Sequence, residues 1–137
     1  MVSSRLAGYR ELLQTTVEDI VATHDEVARM GRTWDVGIRD PGALDFLVER
    51  IRDMARERRE PPEIAAWAMG FIVRSHPFWD ANHRTAFEVG QVILDIFGLE
   101  IVAEREEVEQ VVRGIDARGL TDAALRRWIR KRMRKLR

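Results

Sequence analysis

The chain has 137 residues, 45% of them hydrophobic and 34% charged, a balance that excludes an intrinsically disordered chain and suits one globular domain over residues 1–137. Lys plus Arg and Asp plus Glu each number 23, so net charge names no partner, and the lack of cysteine excludes disulfides and thiolate metal sites. No apolar run approaches the roughly 18 residues of a membrane span, and Met1 to Gly8 lacks the continuous apolar region of a secretory signal; a cytoplasmic protein is expected.

Apolar residues recur at three- and four-residue spacing along the chain, which predicts an all-α bundle of about six helices. Residues 1–14, with Leu6, Tyr9, Leu12 and Leu13, form an N-terminal arm or extend the first helix backwards. That helix starts near Thr15 or Thr16, where Thr15 and Glu18 have capping-box spacing, and it stops at Gly31. Gly31 to Arg39 lacks helical period and reads as a loop. Asp40-Pro41 opens the second helix, the aspartate as cap and the proline at a position whose amide has no helical partner. Leu44, Leu47, Val48, Ile51 and Met54 are its buried stripe. Pro61-Pro62 starts a third helix, whose alanines and Gly70 suit close packing near the bundle centre. The fourth is expected from about Asp80 to Phe97, ended by Gly98, and its apolar sides make it the central buried helix. Glu100 to Ala103 could be briefly extended. A fifth helix is expected from about Glu104 to Ile115, and a sixth from a Thr121 cap to the C-terminus.

The chemistry is concentrated in Ser75-His76-Pro77-Phe78-Trp79-Asp80-Ala81-Asn82-His83-Arg84-Thr85. A histidine stands in a loop just before a helix whose first turn is crowded with polar residues. A helix start carries free amides and the positive dipole end, so it favours anions. Asn82 and Arg84 add donors, Asp80 offers a hard oxygen suited to magnesium, and His76 is a base that titrates near neutral pH. Together these read as phosphate-group chemistry. Singly, each has a structural explanation: Asp80 as a cap, Asn82 and Arg84 as first-turn residues, His76 as a hydrogen-bonded loop histidine. A metal site from His76, Asp80 and His83 ranks lower, because Pro77 breaks their helical register. His24 reads as a satisfied structural histidine.

The string His76 to Arg84 resembles the signature of the Fic/Doc family, His-x-Phe-x-Asp/Glu-Gly/Ala-Asn-Gly/Lys-Arg, joining a loop to a helix. Thr23-His24-Asp25, Asp40-Pro41-Gly42 and the succession of short helices extend the likeness over about residues 15–130, nearest to the death-on-curing (Doc) branch. The resemblance implies that His76 deprotonates a hydroxyl of a target protein and that Asp80 holds Mg2+ bridging the phosphates of ATP. It also implies that Asn82 and Arg84, with the backbone amides of Ala81 to His83, hold those phosphates, and that Phe78 anchors the loop. Trp79 could pack at the pocket rim or on the core.

Members that transfer AMP typically have glycine where this chain has Ala81 and a second arginine where it has Phe87. Ala81 and Phe87 therefore resemble Doc, which implies transfer of the terminal phosphoryl group to a Ser or Thr of a translation factor resembling elongation factor Tu. AMP transfer, or a degenerate member that acts only by binding, are the alternatives. His83 departs from Doc, which has lysine there, and histidine is not a permanent cation at neutral pH. No glutamate is followed by glycine or asparagine, so the self-inhibiting motif of many relatives is missing and an antitoxin-like inhibitor protein is the implied regulator. The family's flap falls on the Gly31 to Arg39 loop, where Trp34 and Ile38 could contact a target segment by strand-like pairing, or Trp34 could simply pack on the core. Residues 126–137 hold eight Arg or Lys, read first as cations complementing a helix C-terminus and secondarily as a site for an acidic partner; nucleic acid is not expected.

Overall fold

Helical periodicity is realised as seven helices in the described residues, 4–31 and 37–136 of a computed structural model. They are α1 (Ser4–Leu12), α2 (Val17–Met30), α3 (Pro41–Arg56), α4 (Pro61–Ser75), α5 (Asn82–Ile96), α6 (Arg105–Ala117) and α7 (Asp122–Arg132). Two short strands, β1 (Leu99–Ile101) and β2 (Met133–Lys135), pair antiparallel with Glu100 opposite Arg134. No helix among the described residues is long and apolar enough to cross a membrane.

The extra helix is the N-terminal arm, which is separate from α2 rather than an extension of it. The break lies at the threonines. Thr15 Oγ donates to the Leu12 carbonyl at 2.7 Å and finishes α1. Thr16 forms the capping box instead, accepting from the Asp19 amide at 3.2 Å while the Asp19 carboxylate accepts from the Thr16 amide at 2.9 Å. The expected Thr15–Glu18 box is therefore displaced by one residue. Asp40 caps α3 as expected, accepting from the Ala43 amide at 3.1 Å, and Thr121 caps α7 through the Ala124 amide at 3.1 Å.

The centre belongs to α4 rather than α5. Ile64, Ala65, Ala68, Met69, Ile72 and Val73 of α4 are fully buried, whereas α5 leaves Val92 48% exposed. Small residues explain the close approach of the two helices. A Cβ on Gly90 of α5 would stand 2.5 Å from Met69 Sδ, so glycine here makes room for the methionine of α4. Each buried Ile or Leu in this seam contributes about 1.5–3 kcal/mol of burial. Gly98 ends α5 in the left-handed region, φ 74°, as its position predicts.

Helix α7 stops at Arg132, short of the expected C-terminal extent. The chain then becomes extended because β1 offers backbone partners, and Arg134 pairs with Glu100 across the ribbon at 3.2 Å. Other cations of the basic run are also matched: Arg130 with Glu60, Arg132 with Glu107 and Arg126 with Glu63. Exposed pairs of this kind add little each, about 0–1 kcal/mol.

Tyr9 docks α1. It is 4% exposed, meets Phe97 edge-on with ring centroids 5.0 Å apart, and donates its hydroxyl to the Arg59 carbonyl at 2.5 Å. Tyr9→Phe keeps the ring contact and strands that carbonyl, so it should cost about 1 kcal/mol. The check is urea denaturation, in which the midpoint should fall with the slope unchanged.

Candidate active site

The loop 76–81 joins the C-terminal end of α4 to the N-terminal end of α5, and both of its ends are strained. His76 caps α4 in the left-handed region (φ 49°, ψ 63°), and Ala81 precedes α5 in the same region (φ 64°, ψ 24°). Neither is glycine, so each conformation must be held by its surroundings.

Asn82 provides much of that hold. It is 5% exposed, its Oδ1 accepts from the Phe78 amide at 3.1 Å, and its Nδ2 donates to the Phe78 carbonyl at 2.8 Å. Phe78 can therefore bury its ring, 1% exposed, without dragging unsatisfied backbone into the core. Here both polar ends of the Asn82 side chain, expected to bind phosphate, are engaged by the Phe78 backbone.

Arg39 secures the other end. Its Nε donates to the His76 carbonyl at 2.6 Å and its Nη2 to the Ser75 carbonyl at 2.5 Å. The backbone around Arg39 runs antiparallel to the loop: Ile38 bridges Phe78, the Arg39 amide donates to Pro77 at 2.8 Å and the Trp79 amide to Gly37 at 3.2 Å. Ile38 is 41% exposed and Trp79 60% exposed. Trp79 is thus exposed rather than packed in the core, and Ile38 pairs with the loop at Phe78. Trp34 lies outside the described residues.

The imidazole of His76 is exposed and makes no hydrogen bond within the described residues; its ring stands edge-on to that of His83, centroids 6.5 Å apart. The first helical bond of α5 runs from the Thr85 amide to the Ala81 carbonyl at 3.0 Å, so the amides before it, those of Asn82 and His83 among them, point out of the helix start. Asp80 accepts from the Ala81 amide through Oδ1 at 2.7 Å, and its carbonyl accepts from His24 Nε2 at 2.9 Å. Arg84 reaches the Val27 carbonyl at the end of α2, at 3.4 Å. Gly31 makes that possible, since a Cβ there would lie 1.9 Å from Arg84 Nη1.

The predicted set is thus brought together, with two side chains held by other groups of the chain. Besides Asn82, His83 is engaged: its Nε2 is 3.0 Å from Asp116 Oδ1 of α6, and both residues line the cavity at the helix start. A metal held here would rest on one protein carboxylate, because no group of three or more His, Cys, Asp or Glu able to hold an ion occurs among the described residues. That donor set suits Mg2+, which takes one or two carboxylates and completes its shell with water and phosphate oxygens. Sequence reasoning missed Arg39 and Asp116 and gave His24 no role at the site. Their partners lie 33 to 56 residues away, and the one available signal was the position of Arg39 beside the Asp40-Pro41 helix start.

A cavity of about 1510 Å³ opens from residues 80–84 along α2, α5 and α6, lined by Val27, Met30, Phe87, Glu88 and Val108 among others. Burial pushes the Glu88 carboxyl up.

A family model described as the Fic/DOC family matches residues 14–94, from just before α2 almost to the end of α5. No curated protein matches the chain.

The hydrogen bond from His83 holds the Asp116 carboxyl below the ordinary aspartate range, with burial opposing it. A depressed carboxyl stabilises the fold above its unfolded-chain pKa, and this is lost as pH falls through the lowered value. The effect on stability is small, because the side chains are 39% and 36% exposed. Carbon NMR of the carboxyl should show Asp116 titrating at higher pH in His83→Ala than in the unmodified chain; an unchanged titration would refute the pairing.

Proposed function

The chain belongs to the Fic/DOC family, whose members transfer phosphate or nucleotide groups to proteins, and on that premise we propose an ATP- and Mg2+-dependent protein kinase of the Doc type. Its substrate is a Ser or Thr hydroxyl on a translation GTPase resembling elongation factor Tu, and it acts as the toxin of a toxin–antitoxin pair in the cytoplasm. The observation that carries this reading is the junction of loop 76–81 with α5. There an exposed His76, the Asp80 carboxylate, the first-turn amides of α5 and the Arg84 guanidinium surround one helix start.

The roles follow from what each group has left to give. His76 takes the proton of the target hydroxyl as its oxygen bonds to the terminal phosphorus and the bond from that phosphorus to the ADP oxygen breaks. Asp80 would hold Mg2+, which neutralises phosphate charge when bound. The first-turn amides of α5 face the phosphates at its positive end, and the Arg84 guanidinium adds charge. Phe87 lines the cavity where AMP-transferring relatives carry a second arginine, which favours terminal phosphoryl transfer. Ile38 and Trp79 give an exposed apolar lip beside His76 on which a target segment can lie.

Inhibition in trans belongs to the same reading. No glutamate is followed by glycine or asparagine, and the long cavity beside α2 and α5 offers an inhibitor protein a surface continuous with residues 80–84. AMP transfer is the second reading, motivated by His83, which stands where Doc has lysine and whose imidazole is hydrogen-bonded to Asp116.

Incubation of the chain and a purified translation GTPase with ATP labelled at the gamma or the alpha phosphorus separates the two. Label from gamma alone is expected; label on protein from alpha alone would sink the kinase reading. His76→Ala should lower the rate about 100-fold or more while leaving Mg-ATP binding intact. A wild-type chain that fails to bind Mg-ATP in calorimetry would leave the chain a binding protein rather than an enzyme.

A further inference from the structure

His24 lies on α2, outside the signature segment, yet it is 0% exposed and its ring stacks face to face on Phe78, centroids 3.7 Å apart and planes 4° from parallel. Its Nε2 is 2.9 Å from the Asp80 carbonyl. A carbonyl oxygen can only accept, so Nε2 carries the proton. The other nitrogen, Nδ1, is buried without a hydrogen-bond partner, and the nearest carboxylate oxygen, on Asp25, is 3.9 Å away. An orphaned buried nitrogen is a cost that phenylalanine would avoid while stacking equally well. What histidine adds at this position is the single bond to the Asp80 carbonyl.

That bond fixes a peptide plane. Carbonyl and N–H point to opposite edges of a trans peptide. With the Asp80 carbonyl turned into the core toward His24, the Ala81 N–H faces the opposite way, and there Asp80 Oδ1 accepts it at 2.7 Å. Ala81 sits at φ 64°, a region costly for a residue with a Cβ. A flip of the Asp80–Ala81 peptide would return that φ to negative values and turn the carbonyl outward, where it would repel phosphate. The strain at Ala81 therefore favours the flip, and the His24 bond opposes it.

The geometry points to His24 as a positioning residue that locks the Asp80–Ala81 peptide, so that the Asp80 carboxylate, held by the Ala81 amide, faces the metal position at the start of α5. The inference rests on the reading of Asp80 and the α5 helix start given under the proposed function, and it adds a residue of α2 to the determinants of that site.

Two variants of the full chain test it. His24→Phe keeps the ring on Phe78 and removes the donor. His24→Gln keeps a donor at a similar reach and loses the stack. Amide hydrogen exchange followed by NMR is read at Ala81, and Mg-ATP affinity by calorimetry. In His24→Phe, Ala81 exchange should rise and Mg-ATP affinity fall, each about tenfold, with the amides of α5 beyond its first turn unchanged. His24→Gln should stay within a few fold of the unmodified chain. Unchanged Ala81 exchange in His24→Phe overturns the lock, as does a loss in His24→Gln at least as large as in His24→Phe, since the donor would then not account for it. If the unmodified chain does not bind Mg-ATP, the nucleotide reading fails, while the exchange at Ala81 still decides the lock.

Discussion

The two hydrogen bonds between the Asn82 side chain and the Phe78 backbone are the constraint around which the site is organised. A six-residue loop, 76–81, cannot bury an aromatic ring without also burying the peptide that carries it. Asn82 satisfies both the donor and the acceptor of that residue, and being the first residue of α5 it ties the loop to the helix it introduces. Fully satisfied buried networks rigidify, whereas half-satisfied ones carry the whole desolvation cost. This one is complete, and it lets Phe78 serve as a core residue while His76 and Asp80, two residues to either side, stay at the surface.

From that anchor the electrostatics follow. The loop brings the carbonyl end of α4 close to the amide end of α5, so partial charges of opposite sign lie near each other. An anion at α5 would be repelled by the exposed carbonyls of Ser75 and His76. Arg39 takes up both of them, and its own backbone pairs with Pro77. The guanidinium thus quiets the negative helix end and straps the segment 37–40 against the loop. The pairing of Ile38 with Phe78 and the exposure of Trp79 go with the same strap.

What could be read from the sequence was what local physics controls. Helices α2 to α7 follow from three- and four-residue spacing, the Asp40 and Thr121 caps from side chains three residues before their partner amides, and the site segment from its own order of residues. One misreading was also local: Thr15 and Thr16 are equivalent by type, and the choice between them depends on whether α1 closes on Leu12. The larger omissions were not local. His24, Arg39 and Asp116 act on partners 56, 37 and 33 residues away, and nothing in their immediate surroundings marks them. The C-terminal strand was hidden for a similar reason. Residues 133–135 carry a helix-compatible run of basic residues, and they become extended because β1 lies alongside, not because of their own preference.

The distribution of costly features separates what the fold needs from what the site needs. Helix α4 is made of apolar and small residues, and its burial gives the bundle its stability without a buried charge. The unfavourable features lie elsewhere: left-handed φ at His76 and Ala81, an orphaned nitrogen on His24, an orphaned hydroxyl on Thr85, and a Glu88 carboxyl raised by burial. All of them sit on α2, on the 76–81 loop or on the first two turns of α5, around the helix start and the cavity. Packing alone would select against each, since an apolar residue, or a glycine at the left-handed positions, relieves every one. Their grouping beside one helix start is the pattern of a stable scaffold carrying a strained site, although Arg58, between α3 and α4, is also left-handed (φ 56°). It also explains why His24, unremarkable as a residue of α2, belongs with the loop: its burial cost makes sense only if the position of the Asp80 peptide matters.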